Sequence, residues 1–157
     1  MEIQLRWAKE ADSEAVVAIA RENWRVIYEG YRESLGEGLY ELAYAQPLDQ
    51  KEQSVRQALA EGRMFVAECA GQICGFATFR VEGTMGVLSE NAVSGLFRGK
   101  GIAGMLYERI FAQLREAGCT VVSVTTGLDG AHAPARRAYE KMGFAASLSS
   151  VRYFQKL

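Results

Sequence analysis

The stretch that most limits the fold is Phe97-Arg98-Gly99-Lys100-Gly101-Ile102-Ala103-Gly104, a glycine-rich turn between a β-rich run and an amphipathic helix. Residues 86–94 read as a strand entering the turn. Beyond it, Ala103, Leu106, Ile110 and Leu114 recur on one helical face, while Glu108, Arg109, Gln113 and Glu116 lie elsewhere. Gly118 ends the helix, as a C-terminal glycine commonly does. Thr120–Leu128 is again β-rich, with Val121, Val122, Val124, Thr125 and Thr126. A strand, a glycine loop, a helix and a second strand therefore follow in direct succession.

The rest of the chain extends this pattern. Residues 2–7 read as a short strand, and Asp12 as the cap of a helix over 13–31 carrying Val16, Ile19, Ala20, Trp24, Ile27 and Tyr31 at helical spacing. A second helical region follows Gly36 and Gly38, breaks near Pro47 and resumes over 49–61. Residues 64–69 and 73–81 are two strands, and the short Ala70-Gly71-Gln72 link makes them an antiparallel hairpin. Pro134 suits the first turn of a last helix that Gly143 terminates, and 151–156 reads as a final strand. The order predicts one α/β domain over 1–157, a mixed sheet with helices on its faces.

Composition narrows the function classes. The 157 residues are 49% hydrophobic and 24% charged, the balance of a soluble globular chain that needs no staples to fold. Net charge is −1, so no global basic field exists to draw nucleic acid or anionic membrane, and any anion site must be local. Cys69, Cys74 and Cys119 lack zinc-knuckle or redox spacing and read as free thiols in a reducing cytosol. The start Met-Glu-Ile-Gln-Leu-Arg has no basic region followed by an apolar core, and no apolar run has the length of a membrane helix. A soluble, cytoplasmic protein without a metal site is expected.

The glycine turn is the place for a local anion site. A helix N-terminus presents unpaired amides and roughly +0.5 elementary charge. Gly99, Gly101 and Gly104 let a ligand approach that backbone, and Arg98 and Lys100 add charge, which suits a phosphate or pyrophosphate. A P-loop would need Ser or Thr after Lys100, where Gly101 stands. The spacing does match the dinucleotide fingerprint. That pattern expects an acidic residue at the end of the next strand, but no acid occurs there until Asp129. A solvated glycine turn, a nucleotide or NAD site and a different pyrophosphate site remain as readings of these residues alone.

Arg98-Gly99-Lys100-Gly101-Ile102-Ala103 resembles the (Gln/Arg)-x-x-Gly-x-(Gly/Ala) signature of the GNAT acetyltransferases. Ala133-Pro134-Ala135-Arg136-Arg137-Ala138-Tyr139-Glu140-Lys141-Met142-Gly143-Phe144 is similar to that family's second signature helix, with a strand between the two motifs. The resemblance implies the GNAT fold and acetyl-CoA (coenzyme A) as cosubstrate. It implies that the amides of Arg98, Gly99, Lys100, Gly101, Ile102, Ala103 and Gly104 bind the pyrophosphate and that Ala92 and Val93 pair with the pantetheine arm. A backbone N–H near Val93 would serve the oxyanion, and Tyr139 would protonate the leaving sulfur.

Several family members carry a glutamate base where this sequence has Val87, which cannot act. Glu90 is the nearest carboxylate, but in a regular strand it faces the other side unless a bulge intervenes. Other members rely on a water chain. His132 stands near a family asparagine that contacts the cofactor, so it either contacts the cofactor or simply precedes the helix.

The first two helices would choose the acceptor. Trp24, Tyr28, Tyr31, Tyr40 and Tyr44 are an aromatic-rich set in which Trp24 reads as core and Tyr28 and Tyr31 as pocket lining. Glu29, Glu33 and Glu41 either attract an ammonium or form a solvated face. The function implied is transfer of an acetyl group to a primary amine of a small molecule, peptide or protein. A sensor of the same fold without turnover is the rival, and paired sheet edges would allow a homodimer.

Overall fold

Alternating apolar runs along residues 64–93 pair into an antiparallel ladder that organises the molecule. In the computed structural model, which describes residues 2–157, β2 (Met64–Cys69) pairs with β3 (Gln72–Glu82), and β3 with β4 (Met85–Val93). Met1, the first residue of the expected domain, lies outside the described residues. Ala70 and Gly71 close the first hairpin with φ of 50° and 79°, the hand that matches strand twist. β1 (Ile3–Trp7) joins β2 antiparallel and β5 (Val121–Val124) joins β4 parallel, giving a five-stranded sheet in the order β1-β2-β3-β4-β5.

Helices cover both faces. On one, Val16, Ile19 and Ala20 of α1 (Ser13–Leu35) and Val55 and Ala58 of α3 (Pro47–Ala60) pack on Met64, Val66, Phe76 and Ala92. The short α2 (Glu37–Ala43) bridges α1 and α3; the helical region breaks over 44–46, as expected near Pro47, and Pro47 is the first residue of α3. On the other face, Ile102, Leu106, Ile110 and Leu114 of α4 (Ile102–Glu116) and Tyr139 of α5 (Ala133–Lys141) pack on Phe65, Ala77, Phe79 and Leu88. Each such fully buried aliphatic side chain contributes about 1.5–3 kcal/mol. Among the described residues, no helix is long and apolar enough to cross a membrane.

One irregularity in β4 positions everything downstream. Ala77 pairs with Asn91 and Phe79 with Leu88, so Ser89 and Glu90 together stand opposite Thr78. The extra residue reverses the side-chain parity of the strand. Leu88 packs in the core under α4, whereas Ala92 packs in the core under α1 and α3. The ladder to β5 stops at the same point, its last pair being Leu88 with Val124. Past it β4 runs on to Val93 without a β5 neighbour, so the expected β run of Thr120–Leu128 is paired over four residues only.

The expected last strand over 151–156 does not form: residues 144–157 carry no regular element. The segment finds no backbone ladder in this chain, and a strand exists only through its pairing.

Asp12 also behaves differently from a simple cap. It occupies the N-cap position of α1, but its carboxylate accepts from Lys9 N–H at 2.7 Å and from both terminal nitrogens of Arg6 at 2.7 and 2.9 Å. Arg6 Nε in turn donates to Glu68 at 2.8 Å, so one guanidinium ties α1 to β1 and β2. The Arg6 hydrogen bonds hold the Asp12 carboxyl below its ordinary value of 3.8, outweighing burial. A depressed folded-state pKa gives stability that is present above that value and lost as pH falls through it. Replacing Asp12 with Ala is expected to cost about 2 kcal/mol in urea unfolding at pH 7, with the difference from the parent shrinking below about pH 4.

Candidate active site

β4 and β5 part beyond Leu88 and Val124, and β4 alone runs on toward the glycine turn. β4 leads through Ser94, whose N–H donates to Cys74 O at 3.0 Å, and a 3-10 turn over Gly95–Phe97 to Arg98. Gly99 and Gly101 take φ of 74° and 76°, the left-handed region that side chains resist, and a Cβ at either position would meet nothing within 4 Å. The first helical bond of α4 runs from Met105 N–H to Gly101 O, and no side chain caps the helix. The amides of Ile102, Ala103 and Gly104 thus precede the intrahelical ladder and open toward an anion. The Lys100 ammonium lies 5.2 Å over the Phe97 ring.

α1 braces this turn. Arg98 donates to Asn23 Oδ1 at 2.8 Å, Asn23 Nδ2 donates to Val93 O at 3.3 Å, and Gly95 N–H donates to Glu22 at 2.9 Å. Arg98 is therefore anchored to α1. Ala92 and Val93 pair with Phe76 and Gly75 of β3, leaving their other strand edge without a β5 partner.

On the α4 and α5 side of β4 lies a buried polar network that the sequence did not announce. Tyr107 Oη donates to Asn91 Oδ1 at 2.6 Å. Asn91 Nδ2 donates to Tyr139 Oη at 3.0 Å and to Ser89 O at 2.9 Å. The reverse bond, from Tyr139 to Asn91 Oδ1, would span 3.5 Å and competes with the much shorter one from Tyr107. Tyr139 consequently accepts from Asn91 and keeps its own proton for another acceptor. Burial pushes the Tyr139 phenol above its ordinary value of 10.0, against the opposing hydrogen bonds, and burial pushes Tyr107 up more strongly still.

Glu90 lies on the opposite face of β4 from Asn91. The bulge resolves the parity question: Glu90 shares the face of Ala92, toward α3, where Ser54 donates to it at 2.7 Å and Lys51 at 3.4 Å. Thr78 Oγ1 lies 3.2 Å from its other oxygen. Burial raises the Glu90 carboxyl, but the Ser54 bond and the Lys51 charge outweigh it, and the net pKa falls below 4.5. Glu90 is thus ionised at neutral pH and firmly held.

Beyond Glu90 the aromatic side chains assemble into a wall. Tyr44 stacks near Tyr28, Tyr31 and Tyr40 with ring centroids 6.1, 5.5 and 5.5 Å away. Tyr28 is pushed up to about 12 by burial, with neighbouring tyrosines and Glu90 adding to the shift. Tyr28, Tyr40 and Tyr44 line a cavity of about 570 Å³ together with Arg25, Glu29 and Glu41. Glu33 is exposed and not part of this lining, and Trp24 lies 4.6 Å under the Lys51 ammonium. His132 turns to Asp129, its Nδ1 2.6 Å from Oδ1, and its ring centroid lies 6.4 Å from that of Tyr31.

Sequence reasoning missed Asn91, Tyr107, Lys51, Ser54 and Asn23. The run Ser89-Glu90-Asn91, three polar residues inside an apolar strand, was the available signal for a bulge with side chains on both faces.

The family model of the GNAT acetyltransferases matches residues 24–144. This chain belongs to the GNAT family. No curated protein matches the sequence significantly. Among solved structures, the aminoglycoside N-acetyltransferase AAC(6')-Iy bound to a CoA-linked bisubstrate analogue is similar at 15% identity and TM-score 0.70, covering 100% of both chains. PaiA N-acetyltransferase from Thermoplasma acidophilum with coenzyme A is similar at 18% identity and TM-score 0.72, covering 96% of this chain and 94% of that one. A GNAT acetyltransferase from Brucella melitensis with acetyl-CoA is similar at 21% identity and TM-score 0.65, covering 92% of this chain and 84% of that one. These likenesses bear out the mixed-sheet GNAT fold.

The buried network is open to a direct test. Replacing Asn91 with Ala leaves two phenols without their shared partner, and chemical unfolding should show a loss of about 1–3 kcal/mol.

Proposed function

We propose that this GNAT domain transfers an acetyl group from acetyl-CoA to a primary amine by direct attack. The reading rests chiefly on one observation: Glu90 and Asn91–Tyr139 lie on opposite faces of β4 where it parts from β5, beneath open amides. An amine reaching β4 from the α1 side meets Glu90, and a thioester reaching it from the α4 side meets Tyr139.

The glycine turn fits the coenzyme A pyrophosphate, because it offers the amides of Ile102, Ala103 and Gly104 and no side chain at Gly99 or Gly101. The free edge of Ala92 and Val93 suits the pantetheine arm. The incoming ammonium loses a proton to Glu90, directly or through water. The amine then attacks the thioester carbonyl, and a backbone N–H near Val93 steadies the oxyanion. As the carbon–sulfur bond breaks, Tyr139 gives its proton to sulfur, with Asn91 donating to the phenolate that remains; the acetylated nitrogen then loses its second proton, which returns Tyr139 to the phenol through solvent, and Glu90 releases the first proton to solvent. The low pKa of Glu90 makes it a weak base and a good ammonium anchor.

The acceptor approaches along the tyrosine wall. Ring faces attract ammonium groups, and Glu29, Glu41 and Asp49 offer carboxylates in a cavity whose lining also carries Arg21, Arg25 and Arg32. Tyr28, Tyr31 and His132 border this route. The three-fold engagement of Glu90 favours a second reading, a coenzyme A sensor without turnover. Turnover of any amine in a broad panel eliminates it.

Two experiments test the assignment. Gly101→Glu puts a carboxylate at the pyrophosphate position, and calorimetry should show coenzyme A affinity down about 100-fold or more with the circular dichroism spectrum unchanged. Undiminished binding would move the site elsewhere. Steady-state kinetics on a second pair of variants separates the two faces of β4. Tyr139→Phe should lower kcat about 100-fold at unchanged KM for acetyl-CoA, and Glu90→Gln should lower kcat/KM for the amine about 10- to 100-fold. Tyr139 acts in its protonated form and its pKa is raised. The parent's kcat should therefore hold to about pH 10 before falling.

A further inference from the structure

An acceptor ammonium in the proposed reaction has two things to find: a carboxylate that takes its proton and an aromatic face beside it. One ammonium of the chain itself already has both. Lys51 Nζ lies 3.4 Å from Glu90 Oε1 and 4.6 Å over the Trp24 ring. The Lys51 side chain is 18% exposed and that of Glu90 19%, so the pair stands largely out of water. Lysines ordinarily extend the ammonium into solvent along an apolar stem. The chain has five, and Lys9, Lys100, Lys141 and Lys156 are all exposed. Lys51 is turned inward, onto the candidate base.

Helix geometry explains the seat. Lys51 and Ser54 are three residues apart on α3 and share one of its faces. Both reach the same Glu90 oxygen. Val55, buried next to them, packs α3 on the sheet. The residue after Glu90 is Asn91, which holds Tyr139 Oη at 3.0 Å. Lys51 therefore touches the candidate base directly, and one step along β4 is the partner of the candidate acid.

We propose that Lys51 is itself an acetyl acceptor, modified by its own chain when acetyl-CoA is bound and no other amine occupies the site. The inference rests on the acetyl transfer proposed above. Glu90 takes one proton from the Lys51 ammonium. The neutral Nζ, carried on a flexible four-carbon stem, attacks the acetyl carbonyl carbon. The carbon–nitrogen bond forms, the carbon–sulfur bond breaks, and Tyr139 protonates the sulfur, so coenzyme A leaves as the thiol. The new amide nitrogen loses its second proton to solvent, from which Tyr139 regains its own, and Glu90 releases the first. The net reaction converts one ammonium and one thioester into an amide, a thiol and one free proton. An acetylated Lys51 has no charge left to pair with Glu90.

Peptide mass spectrometry after incubation of the full chain with acetyl-CoA tests this without knowledge of any other acceptor. Uncatalysed acetylation favours exposed amines, so it should reach Lys9, Lys141 and Lys156 before the half-buried, ion-paired Lys51. The proposal expects the reverse order, with Lys51 modified at least about 10-fold faster than those three. The rate per chain should not change on dilution, because donor and acceptor belong to one chain. Glu90→Gln should remove the Lys51 advantage. Lys51 modified no faster than the exposed lysines, a rate that falls on dilution, or an undiminished advantage in Glu90→Gln would each overturn the proposal. The first two readouts use the parent chain and do not depend on how the variant folds. Turnover of an amine from the panel with Lys51 left unmodified overturns this inference alone. If coenzyme A binds and neither is acetylated, the transfer reaction falls with it.

Discussion

Two residues of β4 opposite one residue of β3 decide the architecture of the site. Had Ser89 and Glu90 continued the regular ladder, Glu90 and Ala92 would have kept the facing of Leu88 and turned toward α4. Asn91 would have turned away from Tyr139. The bulge sends Glu90 to α3 and Asn91 to the phenols, and it ends pairing with β5 at Val124. Thr78 secures it, since its hydroxyl lies 3.1 Å from the Glu90 carbonyl, a backbone oxygen that the bulge takes out of the regular ladder. A local fault in strand pairing thereby becomes both a parting of strands and a division of chemistry between two faces.

Satisfaction of buried polar groups then fixes the details. Asn91 has one carbonyl and two N–H donors, and all three find partners in Tyr107, Tyr139 and Ser89. That accounting, rather than proximity alone, directs the Tyr139 proton outward. Glu90 is likewise surrounded by donors, which offset the cost of burying a carboxylate. Both groups are held in one orientation before any ligand arrives.

Much of this fold was legible from periodicity. The helical spacing of Val16, Ile19 and Ala20 and the alternation around Phe65 and Phe76 reported the two core faces directly. Glycine and proline marked most of the turns because they suit those backbone angles best, Ala70 at φ 50° being an exception. Parity beyond Leu88 was not legible, because a bulge inserts a residue without changing the local preference for strand. The partners of Glu90 were hidden for another reason: Lys51 and Ser54 read as ordinary polar positions on a helix until the sheet sets α3 beside β4. The segment 151–156 reads as β by composition, yet a strand is a property of two chains of backbone and not of one. The tyrosines announced a patch, but their mutual stacking depends on the angle between α1 and α2.

α1 touches both ends of the site. At Glu22 and Asn23 it grips the glycine turn, and at Tyr28 and Tyr31 it builds the aromatic wall, about 8–13 Å further along the same rod. A rod anchored at both places fixes the distance between them. The helix that lines the tyrosine cavity therefore also sets where the glycine turn stands, and the spacing of the two is built into a single rigid element.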